Sequence, residues 1–252
     1  MAASHLIWLV VIFFLTSAVG VVTGSNSLIT VPVMMQFGIA PEKAVATNMF
    51  GLLFMAVGAT IPFARREGVF DKKRLPKLII LTVAGSSLGA LLVGLLTGGT
   101  LKIIISVSMI AVTIFTLVKR DAGVVKAENI SAKTEILGSV LTFALGIYGG
   151  LFSGGYVTIL TTCFIVFFGM TFTQAVANTK LVNIFSSLIA SIIFAWQGLI
   201  DYKLGIILGV TMFAAAYIGA HTVTKLNDVW LKRIFIATVL ILAVKMIFDF
   251  LS

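Results

Sequence analysis

Two short clusters of small and polar residues interrupt runs that are otherwise apolar. The first is Thr23, Gly24, Ser25, Asn26 and Ser27; the second runs from Gly149-Gly150 through Ser153-Gly154-Gly155 and is followed by Tyr156 and Thr158. Hydrocarbon offers no partner for free backbone N–H and C=O groups, so a helix broken at membrane depth must face protein or a watery cavity. Broken helices at matching places in two halves of a chain mark a midplane binding site, where half-helix N-termini turn N–H groups and positive dipole ends toward an anion. Here Gly24, Gly154 and Gly155 allow the turn and close approach, while Ser25, Asn26, Ser27, Tyr156 and Thr158 add hydroxyl or amide contacts.

A third set of residues lies on AVANTKLVNIFSSLIAS. Thr179, Asn183, Ser187 and Ser191 recur every four residues and share one helical face, with Asn178 and Lys180 beside its start. A lysine deep in a bilayer costs about 2.5–3.5 kcal/mol on insertion scales and calls for a partner; near a helix start it can instead snorkel to the interface. Both readings of Lys180 stay open. In the first half Thr47-Asn48 occupies the corresponding stretch without a lysine, so the site is expected to be asymmetric. Ser, Thr and Asn also bridge helices, for about 0.6 kcal/mol per bond, and Gly85-x-x-x-Gly89 reads as a packing motif of that ordinary kind.

The elements that position these residues follow from composition. The chain has 252 residues, 60% of them hydrophobic, and a mean hydropathy of +1.15. Windows of about 20 apolar residues fall near 5–37, 44–64, 77–97, 101–118, 136–170, 175–197, 204–224 and 231–250. The reading is an all-α integral membrane protein, multi-pass in the cell membrane, with one transport domain filling residues 1–252. The first and fifth segments carry the two breaks and are expected to be broken or re-entrant. The same landmarks return after about 130 residues, which is a duplication: Gly24 with Gly154, Gly38 with Gly169, Ala44-Val45-Ala46 with Ala175-Val176-Ala177, Gly68 and Asp71 with Gly198 and Asp201, Gly89 with Gly219. Repeat 1 covers about 5–118, a hydrophilic linker 119–135, and repeat 2 about 136–250. Each half is a broken helix plus three transmembrane helices.

The formal net charge of +9 does not point to nucleic acid, because Arg65, Arg66, Lys72, Lys73, Arg74 and Lys77 crowd into one loop. That is the pattern of a cytoplasmic loop. If loops 65–77, 119–135 and 225–233 share the cytoplasm, the repeats are inverted; if both broken segments cross, they are parallel. The distribution of Lys and Arg favours inversion. The N-terminus MAASHLIW lacks a basic n-region and is not read as a signal peptide. The lone Cys163 can form neither an intramolecular disulfide nor a multi-Cys metal site.

GIAPEKAVATN after the first break, GGLFSGGYVTIL, AVANTK and WQGLIDYKLG in the second half, and the G-(hydrophobic)2-D turn after the second and sixth segments together resemble the TauE/SafE family of anion transporters over nearly the whole chain. The resemblance implies a secondary transporter or exporter of sulfite, sulfonates such as sulfoacetate, or related small organosulfur anions. The residues themselves argue for an anion-compatible midplane cavity, with Asn48, Asn178, Thr179, Lys180 and Asn183 joining the two breaks as substrate-binding candidates. An anion channel and a non-transporting membrane scaffold are the rival readings.

Enzyme chemistry is not expected. The apolar runs hold no Asp or Glu short of Asp249 at the end of the last, no HExxH motif and no P-loop. No cofactor or metal is expected. The partners are a small anionic substrate and the lipid bilayer; a coupling ion, H+ or Na+, is unassigned, with Glu42 and His221 as weak candidates, and a homo-oligomer stays open.

Overall fold

The computed structural model describes residues 3–24, 26–105, 107, 130–225 and 233; Ser25, most of the 119–135 linker, nearly all of 225–233 and the last apolar segment lie outside the described residues. The architecture is all-helical there: α1 (Ala3–Thr23), α2 (Ser27–Gln36), α3 (Pro41–Ala64), α4 (Leu75–Val93), α5 (described over 98–105), α6 (Ala132–Leu151), α7 (Tyr156–Phe168), α8 (Phe172–Trp196) and α9 (Tyr202–Val223). Six of these, α1, α3, α4, α6, α8 and α9, are long and apolar enough to cross a membrane, while α2 and α7 are short apolar helices. The first helix of each broken segment is thus of spanning length by itself, and only the second is short.

Each break is built by one glycine in the left-handed region. Gly24 (φ 68°) separates α1 from α2 and Gly155 (φ 75°) precedes α7. Gly155, not Gly154, is therefore the conformational counterpart of Gly24. The other positive-φ glycines are Gly38, Gly169, Gly68 and Gly198, positions that the sequence alignment of the halves also sets in pairs.

The Gly-(hydrophobic)2-Asp motif has a local explanation. Gly68 and Gly198 turn the chain, Val69 and Ile200 are buried, and each aspartate carboxylate accepts a backbone N–H three residues on: Asp71 from Arg74 N in the turn before α4 (3.2 Å), and Asp201 from Leu204 N in α9 (3.0 Å). Asp201 is the N-cap of α9, and a cap of this kind contributes about 1 kcal/mol.

Side-chain contacts fix how the elements run. Asp71 N, after the end of α3, donates to Asn178 Oδ1 near the start of α8 (3.0 Å), and Asp201 N, after the end of α8, donates to Thr47 Oγ1 near the start of α3 (3.0 Å). Helices α3 and α8, equivalent in the two halves, are therefore antiparallel. His5 of α1 stacks on Phe37 just past α2, with centroids 4.8 Å apart, so the first broken segment starts and ends on one side. Gly138 near the start of α6 lies against Phe167 and Phe168 at the end of α7, and the second broken segment does the same.

Packing crosses between halves. Helix α4 lies on α6 so closely that a Cβ at Gly85 would sit 2.4 Å from Phe143 O, and one at Gly150 would sit 2.3 Å from Ser86 O. Helix α9 lies on α1 in the same manner, Gly219 against Ala18 O. These are backbone approaches that only small residues permit, which accounts for Gly85 and Gly89. Outward faces carry exposed Ile80, Leu95, Val140, Ile192, Ile206 and Val210, an apolar surface suited to lipid. Between loop and linker, Arg74 pairs with Asp71 (2.9 Å) and Glu135 (3.2 Å). Partial burial pulls the Arg74 pKa down, but its bonds to Glu135 and Asp71 outweigh this and the net shift is upward.

Candidate functional site

The two breaks meet. Thr158 Oγ1 at the start of α7 donates to Thr23 O at the end of α1 (2.5 Å), and a Cβ at Gly24 would fall 2.6 Å from Val157 Cγ1 and 2.8 Å from Thr158 N. From the other side, Ser27 at the start of α2 shares a hydrogen bond with Ser153 (2.7 Å). Gly154 packs against Leu28 of α2, and its carbonyl accepts from the Tyr148 hydroxyl. Each half-helix start therefore rests on the opposite break.

Around this crossing lies a polar network with almost no free volume. Asn48 Nδ2 donates to Ser27 Oγ and Thr30 Oγ1 donates to Asn48 Oδ1, both at 2.8 Å. Asn26 Nδ2 reaches Ser17 Oγ (3.2 Å), but its buried Oδ1 has no partner among the described residues. The cavity at the centre has about 10 Å³ of room for a water centre and is walled by Gly20, Gly24, Asn26, Ser27, Ser153, Met55, Lys180 and Asn183, among others. That is space for about one water.

Lys180 is decided by its surroundings. It is 3% exposed and its Nζ donates to Gly20 O at 3.0 Å. It does not lie along an exposed surface, and the carbonyl it reaches belongs to the last turn of α1, the negative end of that helix dipole. Among the described residues the ion pairs join Arg74 to Asp71 and Glu135, and Lys180 is the one charged residue among the buried polar side chains.

The remaining candidates separate. Gly24, Asn26, Ser27, Lys180 and Asn183 line the cavity, and Asn48 and Thr158 brace it one bond away. Thr179 is turned into its own helix, donating to Ala175 O (2.7 Å). Tyr156 is fully buried with its ring against Gly149, outside the cavity wall. Asn178 holds the 68–74 loop, donating to Val69 O (2.9 Å) and accepting from Asp71 N. The stripe Thr179, Asn183, Ser187 and Ser191 is buried along its length. His221 is exposed on the last turn of α9; Glu42 has one buried carboxylate oxygen without a partner among the described residues.

Residues that reasoning from type and spacing passed over include Ser153, which stood inside the second cluster, and Met55, Val157 and Gly20, which carry no polar signal. Gly20 contributes a carbonyl, and no side-chain pattern announces that.

Comparison with known proteins agrees with this architecture. Residues 9–246 match the family model described as Sulfite exporter TauE/SafE. A probable membrane transporter protein, ORF9, from Sinorhizobium sp is 28% identical over 98% of this chain and 94% of its own length. A probable membrane transporter protein of Haemophilus influenzae is 24% identical over 94% of this chain and 92% of its own. The probable membrane transporter protein YfcA of Escherichia coli (strain K12) is 26% identical over 95% and 89%. No solved structure matches the chain. With the family model spanning both halves and the fold a multi-pass helical one, the chain belongs to the TauE/SafE family of membrane transporters.

Proposed function

We propose that this membrane transporter moves a small anion by secondary transport, with the small cavity between the two breaks as its binding site and organosulfur anions of the sulfite and sulfonate class as its substrates. The observation that carries the reading is the Lys180 ammonium, buried at the crossing of two half-helix starts with no carboxylate paired to it among the described residues. A protonated lysine beside the N–H ends of α2 and α7 favours a negative ligand, and the ligand's charge in turn favours the protonated form. Ser27, Ser153, Asn48 and Asn183 supply neutral hydrogen bonds around it. The orphaned Asn26 Oδ1 needs a donor, which a bridging water or the singly protonated form of sulfite provides.

In this reading residues 1–252 form one transport domain of two repeats with inverted topology. The antiparallel run of α3 and α8 and the return of both broken segments to their starting side support it. The basic loop 65–77 then faces the cytoplasm. Cysteines placed at Lys72 and Lys203 are expected to label from opposite faces of oriented vesicles, the first only from the cytoplasmic side; reversed labelling would refute that orientation.

The functional test is flux into proteoliposomes across sulfite, thiosulfate, sulfoacetate and carboxylates. The expected result is saturable flux with trans-stimulation for an organosulfur anion. Conductance without saturation would instead make the protein a channel, and neither behaviour would leave a scaffold.

A further inference from the structure

The two halves carry equivalent cavities at opposite ends of the antiparallel α3 and α8, and the cavities differ in charge. One, about 700 Å³, lies over the 64–74 loop and is lined by the basic Arg65, Arg66, Lys72, Lys73 and Arg74 against the acidic Glu67 and Asp71, with Phe168 and Met170 also bordering it. The other, about 450 Å³, lies where Phe37 and Ile39 stand in for Phe168 and Met170, and there Lys203 is the one basic residue, with Asp201 beside it. The duplication does not require this asymmetry; a cytoplasmic 65–77 loop accounts for the excess of basic residues on that side, and the fold gathers them around one cavity. In the first cavity Arg74 is held by Asp71 and Glu135, whereas no side-chain hydrogen bond or ion pair of Arg65, Arg66, Lys72 or Lys73 is found among the described residues, and all four are exposed.

The floor of the basic cavity is the segment that Asn178 holds through Val69 O and Asp71 N, reinforced by Gln174 Nε2 to Gly68 O (3.2 Å). Two residues further along α8 is Lys180. Gln174 of α8 thus lines the basic cavity, and Lys180 and Asn183 of the same helix line the central one.

We infer that the basic cavity is an outer binding site for oxyanions, a vestibule from which the central site is loaded on the 64–74 side, and that the opposite cavity lacks this property. The inference rests on the anion-transport reading for its role and on the charge asymmetry for its location. Clustered cations at a mouth with low-dielectric walls raise local anion concentration by about 10-fold or more, and the effect fades with ionic strength.

Tripolyphosphate, which does not cross membranes, is the probe. Binding is measured to the full chain in detergent at low ionic strength, and sulfite and sulfoacetate flux is measured in phosphatidylcholine vesicles with tripolyphosphate on one side or the other. The fourfold variant Arg65→Gln, Arg66→Gln, Lys72→Gln, Lys73→Gln is expected to weaken binding about tenfold or more, and Lys203→Gln to change it less than about twofold. Tripolyphosphate is expected to slow flux only from the 64–74 side of the wild type. Binding that the fourfold variant leaves unchanged overturns the site. Binding lost in that variant, with flux indifferent to the probe on either side, overturns its role as a vestibule. Phosphatidylglycerol that displaces tripolyphosphate without touching flux assigns the cavity to a lipid headgroup and likewise overturns it. Absence of any sulfite or sulfoacetate flux refutes the transport role and the anion-transport reading together, while the binding arm still decides whether the oxyanion site exists.

Discussion

The first and second breaks have the same backbone and different chemistry. Gly24 and Gly155 turn the chain alike, yet the first break is followed by Asn26 and Ser27 and the second by Val157 and Thr158. Lys180 of α8 has Met49 as its counterpart on α3. Two half-helices of like backbone thus rest on each other, and the crossing they share takes Asn26 and Ser27 from the first break and its lysine from α8. The two latches differ in the same way: Asn178, with Gln174 beside it, holds its loop by three bonds and Thr47 holds its loop by one.

The largest effect expected is at the shared backbone. Gly24→Ala puts a Cβ into a positive-φ residue and 2.6 Å from Val157, which adds strain of about 1–3 kcal/mol to a steric conflict of similar size. Gly38→Ala has the same strain and open space, so it is expected to cost about 1 kcal/mol. Thermal unfolding in detergent ranks them; equal losses would show that contact between the breaks contributes nothing.

Next comes the charge that distinguishes the halves. Lys180→Met is expected to lower flux about 10- to 100-fold, the worth of one charge-assisted hydrogen bond, with folding retained, while Lys180→Arg keeps part of the activity. Unchanged flux in a folded Met variant would remove Lys180 from the site and leave anion recognition to backbone amides and hydroxyls.

Smaller still is the difference between latches. Asn178→Ala is expected to destabilise by about 2 kcal/mol and Thr47→Ala by about 1, following the number of buried bonds lost. Denaturation of the two variants and cysteine accessibility behind each loop measure this, and a reversed order would mean that the basic side is the weaker gate.

The smallest effect is the coupling across the crossing. A double-mutant cycle of Ser27→Ala and Ser153→Ala is expected to give about 0.6 kcal/mol, as for other interhelical hydrogen bonds in membranes. Zero coupling would indicate that the 2.7 Å contact is incidental.

Much of this protein was legible in its sequence, because a bilayer imposes one-dimensional rules. Span lengths, the two interruptions and the pairing of Gly38 with Gly169 or Asp71 with Asp201 follow from apolar run length and from residues whose backbone roles are narrow. Helix packing through Gly85 and Gly89 was equally readable, since glycine at four-residue spacing has few other uses in an apolar helix. The breakdown came where partners are distant in sequence. Asn178 and Lys180 are neighbours on one helix, yet one bolts a loop and the other reaches the cavity, because the helix turns them about 200° apart. Gly155 rather than Gly154 carries the turn, a choice between adjacent glycines that composition does not make. The partner of Lys180 is the carbonyl of Gly20, 160 residues away, and every residue has a carbonyl; only the tertiary packing of α1 against α8 decides which one the ammonium meets.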